Sequence, residues 1–133
     1  MNNRCFSVML IDDNAIDNMI QSKIIEKSEI AEVIFNHHSA PSAIECLKNL
    51  TKIPNEGKRL LPSYIFLDLD MPLMDGFQFM AEFDKLDSKL KDGIQIVLLT
   101  ASVNSRDKEY PKKFENFHKY LNKPLSVQKI AEL

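Results

Sequence analysis

Residues 64–76 read YIFLDLDMPLMDG. The run Tyr64-Ile65-Phe66-Leu67 is continuously apolar, as a strand covered on both faces should be. It stops at Asp68, and Asp70 and Asp75 follow. A strand of this kind belongs to a parallel sheet packed between helices. Two questions follow: whether the chain holds more such strands, and what cation would tolerate these carboxylates together.

Working outward, strand and helix patterns alternate. Cys5 to Ile11 (CFSVMLI) is an apolar run closed by Asp12-Asp13-Asn14. Ile16, Met19, Ile20 and Ile24 then recur at helical spacing. Glu32 to Phe35 is a second strand candidate. Ser39 can cap a helix with Pro41 in its first turn and Ala43, Leu47 and Leu50 on one face; Ser42-x-x-Glu45 offers an alternative cap register. Lys52 to Pro62 reads as a loop. Tyr64 to Leu69 is the third strand. Asp75 and Gln78 stand at N-cap and N3 spacing before a helix carrying Phe77, Met80, Phe83 and Leu86. Gly93 closes that region, and Ile94 to Thr100 (IQIVLLT) is the fourth strand. Ser105 to Glu115 is a polar helix candidate containing Pro111, which disfavours a helix interior. Phe117 to Leu121 is a short fifth strand, and Ser126 opens a last helix.

Strands separated by helices imply βαβ units and therefore a parallel sheet. The expected fold is therefore α/β: a doubly wound (βα)5 unit, five parallel strands between two helical layers. The whole chain, 1–133, is expected to form one domain. No repeat, linker or low-complexity segment interrupts it.

Composition narrows the function classes. With 17 Lys+Arg against 19 Asp+Glu, the net charge of -2 argues against nucleic acid or an anionic membrane as the main partner. No apolar stretch approaches a membrane span and no signal-peptide pattern opens the chain. Cys5 and Cys46, the two cysteines, lack metal-ligand spacing and lie in apolar patterns, as reduced core residues of a cytoplasmic protein would.

In an open parallel sheet, ligands sit beyond the carboxyl ends of the strands. The first strand delivers Asp12 and Asp13 there, the third Asp68 and Asp70, the fourth Thr100, the fifth Lys123. Carboxylates this close repel unless a cation neutralises them. Oxygen-only donors with no His or Cys point to a hard cation, and Mg2+ fits best. A cation, an ammonium and a hydroxyl together suit a phosphoryl group. A carboxylate can itself be the nucleophile.

These residues resemble a known family. LIDDN (Leu10 to Asn14), FLDLDMPLMDG (Phe66 to Gly76), LLTAS (Leu98 to Ser102) and YLNKP (Tyr120 to Pro124) are similar, in order and spacing, to the receiver domain of two-component response regulators. Its fold is CheY-like, a flavodoxin-like three-layer α/β/α arrangement. The resemblance implies that Asp68 is the phosphoacceptor. It implies that Asp12 and Asp13 hold Mg2+, with Mn2+ as a substitute, joined by Asp68 and by the backbone carbonyl of Asp70. Thr100 and Lys123 would bind the phosphoryl group, with Ala101 the small neighbour the site needs. Lys123-Pro124 would be a cis peptide. Tyr120 would be the aromatic switch that turns inward when Thr100 moves.

The implied protein is a stand-alone receiver with no output domain and no enzyme activity beyond its own phosphotransfer and dephosphorylation. A sensor histidine kinase or histidine phosphotransfer protein would donate phosphate. The surface of the fourth helix, fifth strand and fifth helix would then switch binding to a downstream protein. It would be a monomer or a phosphorylation-dependent dimer. Two features depart from the family pattern: the long loop Lys52 to Pro62, and the lack of a Gly-containing turn before the last strand. From Arg106 to Lys129 there are seven Lys/Arg and three Asp/Glu, which makes that output region basic.

Some residues read more plainly. Asp75 is a helix cap, Asp17 a solvated residue on a polar helix face, and His37, His38 and His118 structural or surface groups. Two other functions compete. Asp68-x-Asp70 also resembles the nucleophile motif of haloacid-dehalogenase-type phosphatases, but Asp12-Asp13 would then lack a purpose. A pseudo-receiver that never takes phosphate would not need the full set of Asp12, Asp13, Asp68, Thr100 and Lys123.

Overall fold

Each of the three most apolar runs forms a strand with almost no exposed side chain. They are β1 (Cys5–Ile11), β3 (Tyr64–Asp68) and β4 (Gln95–Thr100). The computed structural model describes residues 4–53, 60–69, 71, 75–102 and 108–133. β2 (Ala31–His37) and β5 (Phe117–Asn122) are only half-buried, as edge strands are. All pairings are parallel, and the order is β2-β1-β3-β4-β5. This is the flavodoxin-like order, with its switch point between β1 and β3. The register slips by one residue between Ile96 and Val97, where β5 bulges at His118.

Because strand side chains alternate, the same three strands feed two cores. Met9, Ile11, Ile65, Leu67, Ile96 and Leu98 face one side. There they meet α2 (Ala40–Leu50), α3 (Gly76–Asp84) and the one-turn α4 (Ser88–Lys91). Val8, Leu10, Phe66, Val97 and Leu99 face the other, against Ile25 of α1 (Ala15–Ser28) and Ile130 of α5 (Val127–Ala131). The architecture is the expected three-layer α/β/α fold, with five helices among the described residues.

Local signals set most helix starts. Ser39 caps α2 with Pro41 in the first turn, Asp75 and Gln78 form a reciprocal capping box on α3, and Ser126 caps α5. On α3 the large fully buried side chains are Phe79, Met80 and Phe83, while Phe77 is only partly buried, as is Leu86 just beyond the helix. The core stripe is therefore rotated from the expected one, which left out Phe79.

Two expectations need correction. Of the stripe Ile16, Met19, Ile20 and Ile24 on α1, Ile24 packs partly buried against the core, but Ile16, Met19 and Ile20 are 66%, 55% and 43% exposed. Asn18, Gln21 and Ile25 are buried instead. Of the helix expected over Ser105–Glu115, residues 105–107 lie outside the described set. The rest holds only a 3-10 helix, η1 (Tyr110–Lys113), with Pro111 in its first turn. Most of the loop expected at Lys52–Pro62 likewise lies outside the described residues.

Candidate functional site

Asp68 is the last residue of β3, and its neighbours follow from sheet geometry. β1 lies on one side of β3 and β4 on the other. The end of β1 therefore brings Asp12 and Asp13 beside Asp68, and the end of β4 brings Thr100. Asp12, Asp68 and Thr100 are all buried, at 0%, 3% and 0% exposure, among apolar strands. Lys123 arrives from β5, its backbone N–H donating to the Thr100 carbonyl at 2.9 Å.

Four of the expected residues thus form one ionic cluster. One oxygen from each of Asp12, Asp13 and Asp68 lies within 4.8 Å of the others. The Lys123 Nζ is 3.1 Å from Asp68 Oδ1 and 3.5 Å from Asp12 Oδ2. Asp12 Oδ1 accepts from the Asn14 N–H, but its buried Oδ2 has no hydrogen-bond partner. Burial, with the adjacent Asp68 charge, raises the Asp12 carboxyl to about 6, although Lys123 and the Asn14 amide act the other way. A buried carboxylate oxygen without a hydrogen bond, sharing the Lys123 ammonium with Asp68, is a site short of positive charge. A hard cation bound by oxygen donors fits it.

The loop after β3 is pinned back on the strand. The Gly76 N–H donates to the Leu69 carbonyl at 3.2 Å. A Cβ at Gly76 would lie 3.0 Å from the Leu69 Cα and 2.7 Å from its Cδ1. The close approach requires glycine there, against the residue that follows Asp68. Asp70 lies outside the described residues, so its backbone carbonyl is not placed. Asp75 does not join the cluster; its side chain caps α3.

Thr100 and Tyr120 occupy the far flank. The Ser102 N–H donates to Thr100 Oγ1 at 3.3 Å. Tyr120 is half-buried opposite Leu98, its ring 5.6 Å from that of Phe117 in an edge-on contact. The Lys123-Pro124 peptide is cis, as the motif implies. A second, open hollow of about 660 Å³ is lined by Lys91, Gly93, Gln95 and Asn116. It lies where β4 begins, away from the carboxylates at the strand ends.

Sequence reading missed the residues that hold this edge together. Asn18 Nδ2 donates to the carbonyls of Asp12 and His37, at 3.0 and 3.3 Å. Gln21 Oε1 accepts from the Leu125 N–H at 2.9 Å. Lys129 Nζ donates to the carbonyls of Asn122 and Pro124. Asp17, expected to be merely solvated, lies 3.4 Å from Lys123 Nζ. One signal was available: Asn14, Asn18, Gln21 and Ile25 recur at spacings of four, three and four, the same period as the apolar stripe.

Comparison with known proteins agrees with this fold. A response regulator from Cytophaga hutchinsonii superposes with a TM-score of 0.84 at 27% identity, covering 97% of this chain and 93% of that one. The receiver domain of the Arabidopsis thaliana histidine kinase CKI1, in a structure complexed with Mg2+, shares the fold. Its TM-score is 0.77 at 21% identity, covering 98% and 92% of the two chains. The peroxide stress-activated histidine kinase mak1 of Schizosaccharomyces pombe is 27% identical over 130 residues. That match takes in 95% of this chain but only 7% of the kinase. Residues 8–133 match the family model described as the response regulator receiver domain. No helix among the described residues is long and apolar enough to cross a membrane. With strand order, acidic edge and family match in agreement, the chain belongs to the response regulator receiver domain family of two-component signalling.

Proposed function

We propose that Asp68 accepts a phosphoryl group from a phosphohistidine on a partner protein. The observation that carries this reading is the ammonium of Lys123, 3.1 Å from Asp68 Oδ1 and beside a three-carboxylate cluster. In the transfer, an Asp68 oxygen forms a bond to phosphorus and the P–N bond breaks. The electron pair and then a proton go to the departing imidazole. Lys123 and Thr100 bind the oxygens of the transferred group. Asp12, Asp13 and Asp68, with the Asp70 carbonyl as the remaining expected ligand, would hold Mg2+. When bound, that ion supplies the positive charge that lets an anionic phosphoryl group approach buried carboxylates.

The phosphorylated state then biases a local switch. Thr100 moves towards the phosphoryl group, and Tyr120 follows into the space it leaves. The surface around η1, β5 and α5 changes and is read by a downstream protein. The donor docks elsewhere, on α1. Ile16, Met19 and Ile20 form an exposed apolar stripe at i, i+3, i+4 spacing. It begins one turn from Asp12-Asp13, so a protein seated on it can present a phosphohistidine to Asp68.

The test is incubation of the full chain with Mg2+ and acetyl phosphate, followed by intact mass and NMR. A single acid-stable, base-labile phosphate, absent in Asp68→Asn, supports the proposal. Sustained turnover of phosphomonoesters would favour the phosphatase reading. No Mg2+-dependent adduct would leave a pseudo-receiver.

A further inference from the structure

Asp17 takes no part in the phosphotransfer just described, yet it holds one of the reacting groups. Its Oδ2 is 3.4 Å from the Lys123 Nζ, which also lies 3.1 Å from Asp68 and 3.5 Å from Asp12. An ammonium has three N–H groups, and three carboxylates surround this one. The partners are not equivalent. The side chains of Asp12 and Asp68 are 0% and 4% exposed, whereas that of Asp17 is 42% exposed. Asp17 can therefore release the lysine to water at the least cost.

Both ends of the contact are mounted firmly. The Asp17 N–H is capped by Asn14 Oδ1 at 2.9 Å, in the first turn of α1. The backbone around Lys123 is held by the Thr100 carbonyl, by Gln21 through the Leu125 N–H, and by the Lys129 ammonium. What can move is the Lys123 side chain.

We propose that Asp17 is a positioning residue that competes with the phosphoryl group for the Lys123 ammonium. This rests on the reading of Asp68 as phosphoacceptor. In the unmodified protein Asp17 draws the ammonium towards α1. A phosphoryl group on Asp68 must take it away. A contact made in the unmodified state alone stabilises that state, so it opposes phosphorylation. Asp17 thereby sets how readily the site fills, without touching the reacting atoms.

Beryllium fluoride, a phosphoryl mimic, provides the test: it is titrated into the full chain at saturating Mg2+ and followed by NMR or calorimetry. Asp17→Asn is expected to bind it about two- to five-fold tighter than wild type, the range for a partly exposed ion pair. Asp17→Glu, which keeps the charge, should stay within about 1.5-fold. In a Lys123→Ala background the Asn substitution should have no effect, because its path runs through the lysine. Equal or weaker binding by Asp17→Asn overturns the proposal, as does an effect that persists without Lys123. Failure of the wild-type chain to bind beryllium fluoride at all would instead overturn the phosphoacceptor reading.

Discussion

α1 and α2 lie on opposite faces of the same sheet and bury opposite kinds of side chain. α2 buries Ala40, Ala43, Leu47 and Leu50 and turns Glu45, Lys48 and Asn49 outward. α1 buries Asn18 and Gln21 and leaves Ile16, Met19 and Ile20 in solvent. The difference arises from what each helix covers. α2 lies over strand side chains, which are apolar. The start of α1 lies over strand ends, where its amide side chains bond the Asp12 carbonyl and the Leu125 N–H and add a second bond to the His37 carbonyl. Buried backbone groups without partners are costly, so amide side chains face inward there. Farther along, at Ile25, α1 returns to ordinary apolar packing. Helical periodicity thus identifies two faces, and the covered surface decides which one goes in.

Substitutions can break this contrast, in descending order of effect. Leu47→Ala, in fully buried α2 packing, is expected to cost about 2–5 kcal/mol in urea unfolding. Asn18→Ala should cost about 1–3 kcal/mol, a large loss for a polar residue, because it removes both bonds to the Asp12 and His37 carbonyls. If the cost falls within the scatter of surface substitutions, α1 is not held by its amides.

Asp12, whose carbonyl is bound by Asn18 of α1 and whose carboxylate is bound by the N-cap residue Asn14, supplies a pH test. Its carboxyl is raised to about 6 in the folded chain, from an ordinary value of 3.8. The folded state therefore holds this proton more tightly than the unfolded state does. The stabilisation it gives is fully present below about 4 and is lost as pH rises through about 6. In cation-free buffer at pH 7, Asp12→Asn should be more stable than wild type by on the order of 1–2 kcal/mol. The gap should close by pH 4. A constant gap across that range would show that Asp12 does not titrate there.

Ile16→Asp with Met19→Glu is expected to slow transfer from a phosphohistidine protein by about tenfold, roughly 1.4 kcal/mol. Uptake from acetyl phosphate should change less than about twofold. Equal loss with both donors would show that the stripe is not a docking face. The smallest effect is Met19→Ala alone, which should leave stability within about 0.5 kcal/mol. A loss comparable to that of Leu47→Ala would mean that α1 packs like α2 after all.

Much of this architecture could be read directly because it rests on local rules. Continuous apolar runs mark strands covered on both faces, and β1, β3 and β4 follow them to within a residue. The capping box at Asp75 and Gln78 involves only neighbours in sequence, and it forms as expected. The site's acidic edge was also accessible, since the end of a parallel strand is a position that sequence can locate. The region between β4 and β5 was harder. There a polar periodic pattern competes with Pro111, and the described residues take up a single 3-10 turn.

The amino-acid sequence by itself determined the alternation of strands and helices, and hence which residues end each strand. Those are consequences of side-chain period and backbone preference, which act over a few residues. Tertiary structure alone decided the rotation of α1 and the pairing of Asp17 with Lys123, 106 residues apart. Both depend on which unpaired backbone groups and charges the assembled sheet edge presents. That edge exists only after β1, β3, β4 and β5 have come together.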